Sequence, residues 1–126
     1  MKFNEMQYTR PDIEQVKQKF ADLTKRMENA TSGEEQWQIH QEYYELNDHV
    51  MTQAVIAEIR HDVDMTDEFY EKENDFWNDT NPILANISVE YKKQLLHSKF
   101  RPYLEEKIGK VAFKNMELAE CWCDHY

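Results

Sequence analysis

The segment PDIEQVKQKFADLTKRMENATSGEEQWQIHQEYYELNDHV, residues 11–50, contains the two local patterns from which the architecture follows. In its first half, apolar residues recur at spacings of three, four, three and four: Ile13, Val16, Phe20, Leu23 and Met27. Side chains at these spacings lie on one face of an α-helix, and a proline such as Pro11 is tolerated in a first helical turn. The pattern predicts a helix that buries one apolar stripe.

A helix-capping signal follows this stripe. Ser32 and Glu35 form an S-x-x-E pair, in which the hydroxyl and the carboxylate satisfy backbone N–H groups at the start of a helix. The connection Thr31–Gly33 is short, so the second helix should return antiparallel to the first. The sequence therefore predicts an antiparallel helical hairpin at the start of the chain.

The second helix is predicted to extend over residues 32–60 and to be apolar on two sides. One face carries Ile39, Tyr43, Leu46 and Val50, and another carries Tyr44, Met51, Val55 and Ile59. A helix that is apolar on more than one side packs between neighbours. We therefore expect it to be the central helix.

Three further helices are predicted after an acidic break at residues 62–67, where Thr66 or Asp67 can act as the next N-cap. The third helix should end near Asn78, and a fourth should start at Pro82. Residues 98–102 interrupt the pattern, and a final helix follows that is weakened at Gly109. The prediction is an all-α fold of about five helices, forming a single domain over residues 1–126.

Composition supports this fold class and limits the possible partners. Two glycines and three prolines in 126 residues are too few for a turn-rich β-fold. The formal net charge of -10 repels phosphate backbones and anionic lipids, so we expect neither nucleic-acid nor membrane binding. No apolar run approaches the roughly 20 residues of a membrane span. The N-terminus also lacks an apolar signal segment, which leads us to expect a cytoplasmic protein.

The sequence lacks the motif of a helical zinc peptidase. That motif, H-E-x-x-H, places two metal-binding histidines one turn apart around a glutamate that activates water. None of the five histidines is followed by glutamate. We therefore expect no catalytic residue and no cofactor in this chain.

One E-x-x-H pair, Glu58 and His61, leaves a metal site open as an alternative. Helical bundles hold two metals with two such pairs and two further glutamates. The sequence has no second pair, so a complete site would need a symmetric copy across a dimer. The simpler interpretation is an ion pair or a cap at a helix end.

The string AEIRHDVDMTDEFYEKENDFWNDTNP, residues 57–82, resembles a characteristic segment of the oligoendopeptidase F family of zinc metallopeptidases. The opening of the chain from Phe3 to Asp12 is similar to the N-terminal start of those proteins, and the stretch from Leu95 to Gly109 fits the same region. The resemblance implies a helical N-terminal region that packs over a larger catalytic domain and encloses a channel for short peptides. It also implies that the zinc ligands lie downstream, at positions with no counterpart in this sequence.

These observations lead to a non-catalytic helical module, truncated or stand-alone, that acts through protein or peptide contacts. A separately encoded catalytic chain is one possible partner. Because such a module leaves apolar surface uncovered, we also expect a homo-oligomer, most simply a two-fold dimer. The candidate contact residues are Phe113, Met116, Leu118 and Trp122. The alternative is a small metal-binding bundle that uses Glu58 and His61 across a dimer.

Overall fold

A computed structural model describes the backbone of residues 7–124 and the side chains of residues 7–120. Within this range the chain is all-α, as predicted. The helices are α1 (Ile13–Asn29), α2 (Gly33–Val63), α3 (Glu68–Leu96), α4 (Arg101–Ile108) and α5 (Lys110–Asp124). No helix in the described part of the chain has the length and apolar character needed to cross a bilayer.

The predicted hairpin of α1 and α2 is confirmed. The Gln36 amide donates to the Met27 carbonyl at 3.1 Å, and Arg26 forms a two-bond ion pair with Glu42. Further along, Phe20 of α1 lies against Tyr43 of α2, with ring centroids 5.2 Å apart. Because partners on α1 move backwards as those on α2 move forwards, the two helices are antiparallel.

The two predicted N-caps are also confirmed. The Ser32 hydroxyl accepts a hydrogen bond from the Glu35 N–H at 3.1 Å, and the Glu35 carboxylate accepts one from the Thr31 N–H. At the start of α3, the Asp67 carboxylate accepts from the Phe69 N–H at 2.9 Å. These caps satisfy backbone donors that no intrahelical carbonyl can reach.

The prediction that a helix ends near Asn78 and a new one starts at Pro82 is wrong, because α3 continues through both residues. An internal proline costs a helix about 3 kcal/mol. On the same helix, Trp77 and Leu84 are 3% and 7% exposed. Burying one large apolar side chain contributes about 1.5–3 kcal/mol, so burial on both sides of Pro82 offsets the cost of the proline.

The final helix is in turn divided into α4 and α5 at Gly109, which has a φ of 112°. This left-handed conformation is readily available only to glycine. The predicted weakness at Gly109 is therefore a complete break. The predicted number of helices is correct only because the two errors, one at Pro82 and one at Gly109, compensate.

The core lies among α1, α2 and α3, and the two shorter helices cover its end. Helix α2 contacts α1, α3 and α4, whereas α3 contacts α1, α2 and α5. The central position expected for α2 is thus shared with α3. The side chains that are almost inaccessible are Tyr91, Phe113, Met27, Ile39, Ile56, Leu95, Leu104 and Val50.

Candidate functional site

A groove with a volume of about 520 Å³ lies between α2 and α4. Its lining comprises Trp37, His40, Gln41, Tyr44 and Glu45 from α2, with Lys107 and Ile108 from α4. The α2 residues recur at spacings that lie on one helical face. The sequence placed Tyr44 on a face packed against neighbours, but its side chain is 65% exposed.

The position of α4 along this groove depends on a glycine. A Cβ atom at Gly33 would lie 2.8 Å from Cδ1 of Tyr103, closer than real Cβ atoms approach other atoms. The absence of a side chain at Gly33 therefore lets α4 pack against the first turn of α2. The chain leaves α4 at Gly109, so Lys107 and Ile108 lie at the edge of the groove.

His40, which lines the groove, belongs to a stack of aromatic rings. The rings of Tyr43 and Tyr91 are nearly parallel at 2°, with centroids 3.7 Å apart, and the His40 ring continues the stack 6.1 Å from Tyr91. Nδ1 of His40 lies 2.8 Å from the Tyr91 hydroxyl oxygen. A tyrosine hydroxyl can donate or accept, so this contact orients the imidazole in either tautomer.

Burial governs the ionisation of this stack. It lowers the pKa of His40 below its usual value, because a buried imidazolium loses hydration. Burial, together with the neighbouring Tyr43, raises the pKa of Tyr91 far above the ordinary range. Burial also raises the pKa of Tyr43, so all three rings are uncharged near neutral pH.

The groove carries groups that are suited to the recognition of a partner surface. Trp37 and Tyr44 offer aromatic surface, while Glu45 and Lys107 place both signs of charge at the rim. Tryptophan and tyrosine are enriched among the residues that dominate protein interfaces. A protein or peptide surface with apolar groups and mixed charge is the class of partner that this lining fits.

The two candidate metal ligands do not form part of a larger ligand set in the structure. Glu58 is exposed, and His61 is half-buried with its Nδ1 3.9 Å from an Asp62 carboxylate oxygen. Within the described residues, no group of three or more His, Cys, Asp or Glu side chains is arranged to hold a metal ion. His61 and Asp62 are neighbours at the end of α2, where the sequence analysis expects an ion pair or a cap.

The predicted oligomer contacts are distributed over different environments. Phe113 is 0% exposed, so its assignment as a contact with a second copy is corrected: the side chain completes the core between α4 and α5. Met116 is half-buried against that core, and Leu118 is 59% exposed. Trp122 lies outside the residues whose side chains the structure describes.

Sequence reasoning missed a polar cluster that attaches the N-terminal segment to α3. Tyr8 donates to Glu73 at 2.5 Å, Arg10 donates to the same carboxylate through Nε at 2.9 Å and through Nη2, and Trp77 donates to the Tyr8 hydroxyl at 3.0 Å. We call these four residues the arm cluster. One feature of the sequence could have indicated this cluster: the charged Glu73 lies four positions after Phe69 and four before Trp77, on a helix stripe that is otherwise apolar.

Comparison with known proteins identifies relatives over almost the whole chain. The sequence model of the peptidase M3 N-terminal domain family matches residues 3–121. A solved PZ peptidase A, in complex with an inhibitor, is 38% identical over 92% of this chain and 21% of its own, with a TM-score of 0.89. A protein assigned as an oligoendopeptidase F from Bacillus anthracis is 37% identical over 93% of this chain and 22% of its own, with a TM-score of 0.88.

The chain thus spans about a fifth of the length of these solved relatives. None of the curated proteins compared with the chain matches it.

Proposed function

Because the chain belongs to the peptidase M3 N-terminal domain family, we propose that it serves as a non-catalytic helical module of an M3-type metallopeptidase. The observation that supports this most directly is coverage: the chain corresponds to about a fifth of each solved relative and contains no H-E-x-x-H motif. The chemistry of peptide cleavage then belongs to a catalytic region outside these 126 residues.

The groove between α2 and α4 is the proposed contact with that catalytic region. Tyr44 is 65% exposed on a helix that is otherwise apolar on two sides, and Tyr103 of α4 is 36% exposed nearby. Aromatic side chains have few rotatable bonds, so they lose little conformational entropy when a partner covers them. The groove therefore has the properties of a preformed interface.

A chimeric enzyme tests this proposal. Residues 3–121 would replace the matching N-terminal region of the Bacillus anthracis relative, and cleavage of a fluorogenic peptide would be compared with that of the unmodified relative. We expect the chimera to cleave the peptide and the isolated chain to show no cleavage. A monodisperse chimera without activity, or an isolated chain that cleaves the peptide, would contradict the proposal.

Two single substitutions in the chimera test the groove. Tyr44→Glu places a charge in the proposed interface, and Met65→Glu places the same charge at the turn between α2 and α3, where the side chain is similarly exposed at 69%. We expect activity or thermal stability of the chimera to fall with Tyr44→Glu and not with Met65→Glu. Equal effects of the two substitutions would remove the groove from the proposal.

A further inference from the structure

A second surface, at the junction of α2 and α3, is chemically different from the groove on α4. Two adjoining pockets of about 200 Å³ and 350 Å³ lie there and share Met51 and Asn81 in their linings. They follow the two antiparallel helices, so that Asn47 lies in one pocket and Glu58 in the other. Because the two pockets share these lining residues, we call them together the asparagine groove.

Four carboxamide side chains line this groove: Asn47, Asn74, Asn78 and Asn81. They are half of the eight asparagines in the chain. None of the four side chains hydrogen-bonds to another described residue, and no polar side-chain atom there is buried without a partner. Asparagine is unfavourable inside helices, so nothing in the local structure explains four of them on one groove.

A row of carboxamides has the hydrogen-bonding capacity of an extended polypeptide. Each carries a carbonyl acceptor and two N–H donors, and each can therefore pair with both the N–H and the C=O of a main chain. From Asn47 to Glu58, α2 advances by roughly 16 Å at 1.5 Å per residue. An extended peptide rises about 3.3 Å per residue, so the groove accommodates about five residues.

The other residues that line the groove favour a peptide whose positively charged end lies at one end of the groove. Trp77 and Met51 provide an apolar floor, and Trp77 is 3% exposed, which fixes the base of the groove. The exposed Glu58 carboxylate lies at the end that also contains Asn74. In a chain with a net charge of -10, a cationic group is attracted to this end.

We propose that the asparagine groove binds short peptides in extended conformation, through their main chain, with the free α-amino group beside Glu58. The inference rests on the proposed function, because a peptidase module is one that short peptides reach. It adds a ligand site on the module itself, separate from the contact with a catalytic region.

Side-chain amide resonances give a direct test on the full isolated chain. Penta-alanine with a free amino group would be titrated to about 10 mM, a range that detects millimolar affinity, into the isotopically labelled protein. We expect saturable shifts of the carboxamide signals of the four groove asparagines. The carboxamides of Asn29, Asn86 and Asn115, which are outside the groove, serve as internal controls and should not shift. No shift, or equal shifts of both sets, overturns the proposal.

Altered peptides and substitutions test each contact. Removing one hydrogen bond of about 1 kcal/mol weakens binding about five-fold, and this is the loss expected for Asn78→Ala, with Asn115→Ala as the matched exposed control. A peptide with an N-methylated main chain cannot donate these hydrogen bonds. Its affinity for the wild type should fall by at least the same factor. N-acetylation of the peptide should weaken binding to the wild type and have no further effect on Glu58→Gln.

The experiments with altered peptides can contradict the proposal. Unchanged affinity with the N-methylated peptide would overturn main-chain recognition, and unchanged affinity with the acetylated peptide would overturn the orientation toward Glu58. Because the titration contains no catalytic region, its failure is distinguishable from failure of the chimeric enzyme.

Discussion

Replacing Arg10 with methionine removes the cation of the arm cluster and leaves the Glu73 carboxylate without its charge partner. The Glu73 side chain is 5% exposed, and it accepts hydrogen bonds from Tyr8 and from two nitrogens of Arg10. The segment makes further contacts: the Thr9 N–H donates to Gln53 at 2.8 Å, and the Arg10 guanidinium lies 4.0 Å from the centre of the Phe76 ring. Arg10→Met therefore perturbs the site that attaches the N-terminal segment to α3.

The expected cost follows from the burial of the two partners. Breaking a fully buried ion pair costs about 3–5 kcal/mol, because one charge is left without compensation. The Arg10 side chain is 47% exposed, so water reaches the carboxylate from that side and screens part of the interaction. We expect Arg10→Met to lower the free energy of unfolding by about 2–3 kcal/mol, which corresponds to roughly 8–12 °C in Tm for a domain of this size.

Urea unfolding at neutral pH, followed by circular dichroism, measures this difference. The matched control is Arg26→Met, since Arg26 and Glu42 form a similar two-bond pair in which both side chains are about half exposed. An exposed pair contributes about 0–1 kcal/mol, so the control should change stability little. Adding Glu73→Met to Arg10→Met removes the uncompensated carboxylate and should recover part of the loss.

The pH dependence provides an independent check. Hydrogen bonds from Arg10 hold the pKa of Glu73 below its usual value, although burial alone would raise it. A carboxyl group with a depressed pKa in the folded state contributes stability above its unfolded pKa of about 4.3, and this contribution is lost as the pH falls through the folded pKa. The difference between wild type and Arg10→Met should therefore be largest at pH 7 and shrink below about pH 4. A difference that is below 0.5 kcal/mol at pH 7, about the size of ordinary surface effects, or that does not change with pH, would refute this reasoning.

Three further predictions concern the packing of the helices and the association of two chains. Gly33→Ala should destabilise the fold by about 1 kcal/mol, measured by thermal unfolding, because the new Cβ displaces the Tyr103 ring, and a second change of Tyr103→Ala should relieve the strain. Pro82→Ala should stabilise the fold by about 1–3 kcal/mol in urea unfolding, since it restores a helical N–H donor; a loss of stability would show that the proline shapes α3. Val111 and Leu118 are 72% and 59% exposed and lie seven residues apart on one face of α5. We expect a dimer by sedimentation equilibrium that Leu118→Glu dissociates, and a wild type that is monomeric at all concentrations would reject this interface.

The local features of the fold could be predicted from the sequence. Successive apolar residues from Ile13 to Met27 are three or four positions apart. This periodicity alone predicts α1 and its buried face. The capping side chains of Ser32 and Asp67 accept hydrogen bonds from backbone N–H groups only two or three residues further along the chain. The family was also identifiable, because its resemblance rests on spaced runs of residues that need no coordinates.

The candidate groove was only partly predictable. The sequence placed Tyr44 on an apolar face of the second helix, but it could not show that this face is partly uncovered. That depends on where α4 packs, and the position of α4 depends on the close approach of Tyr103 to Gly33. The expected surface role of Phe113 failed for the same reason, since the packing of α4 and α5 buries it.

The sequence by itself thus determined the fold class, the hairpin of α1 and α2, the caps and the family, all of which depend on residues close together in the chain. Tertiary structure decided the continuity of α3 through Pro82, because the burial of Trp77 and Leu84 offsets the local penalty of the proline. It also decided the arm cluster, whose hydrogen bonds join residues 63 to 69 positions apart. Such contacts leave no local period in a sequence, since their partners meet only when the helices pack.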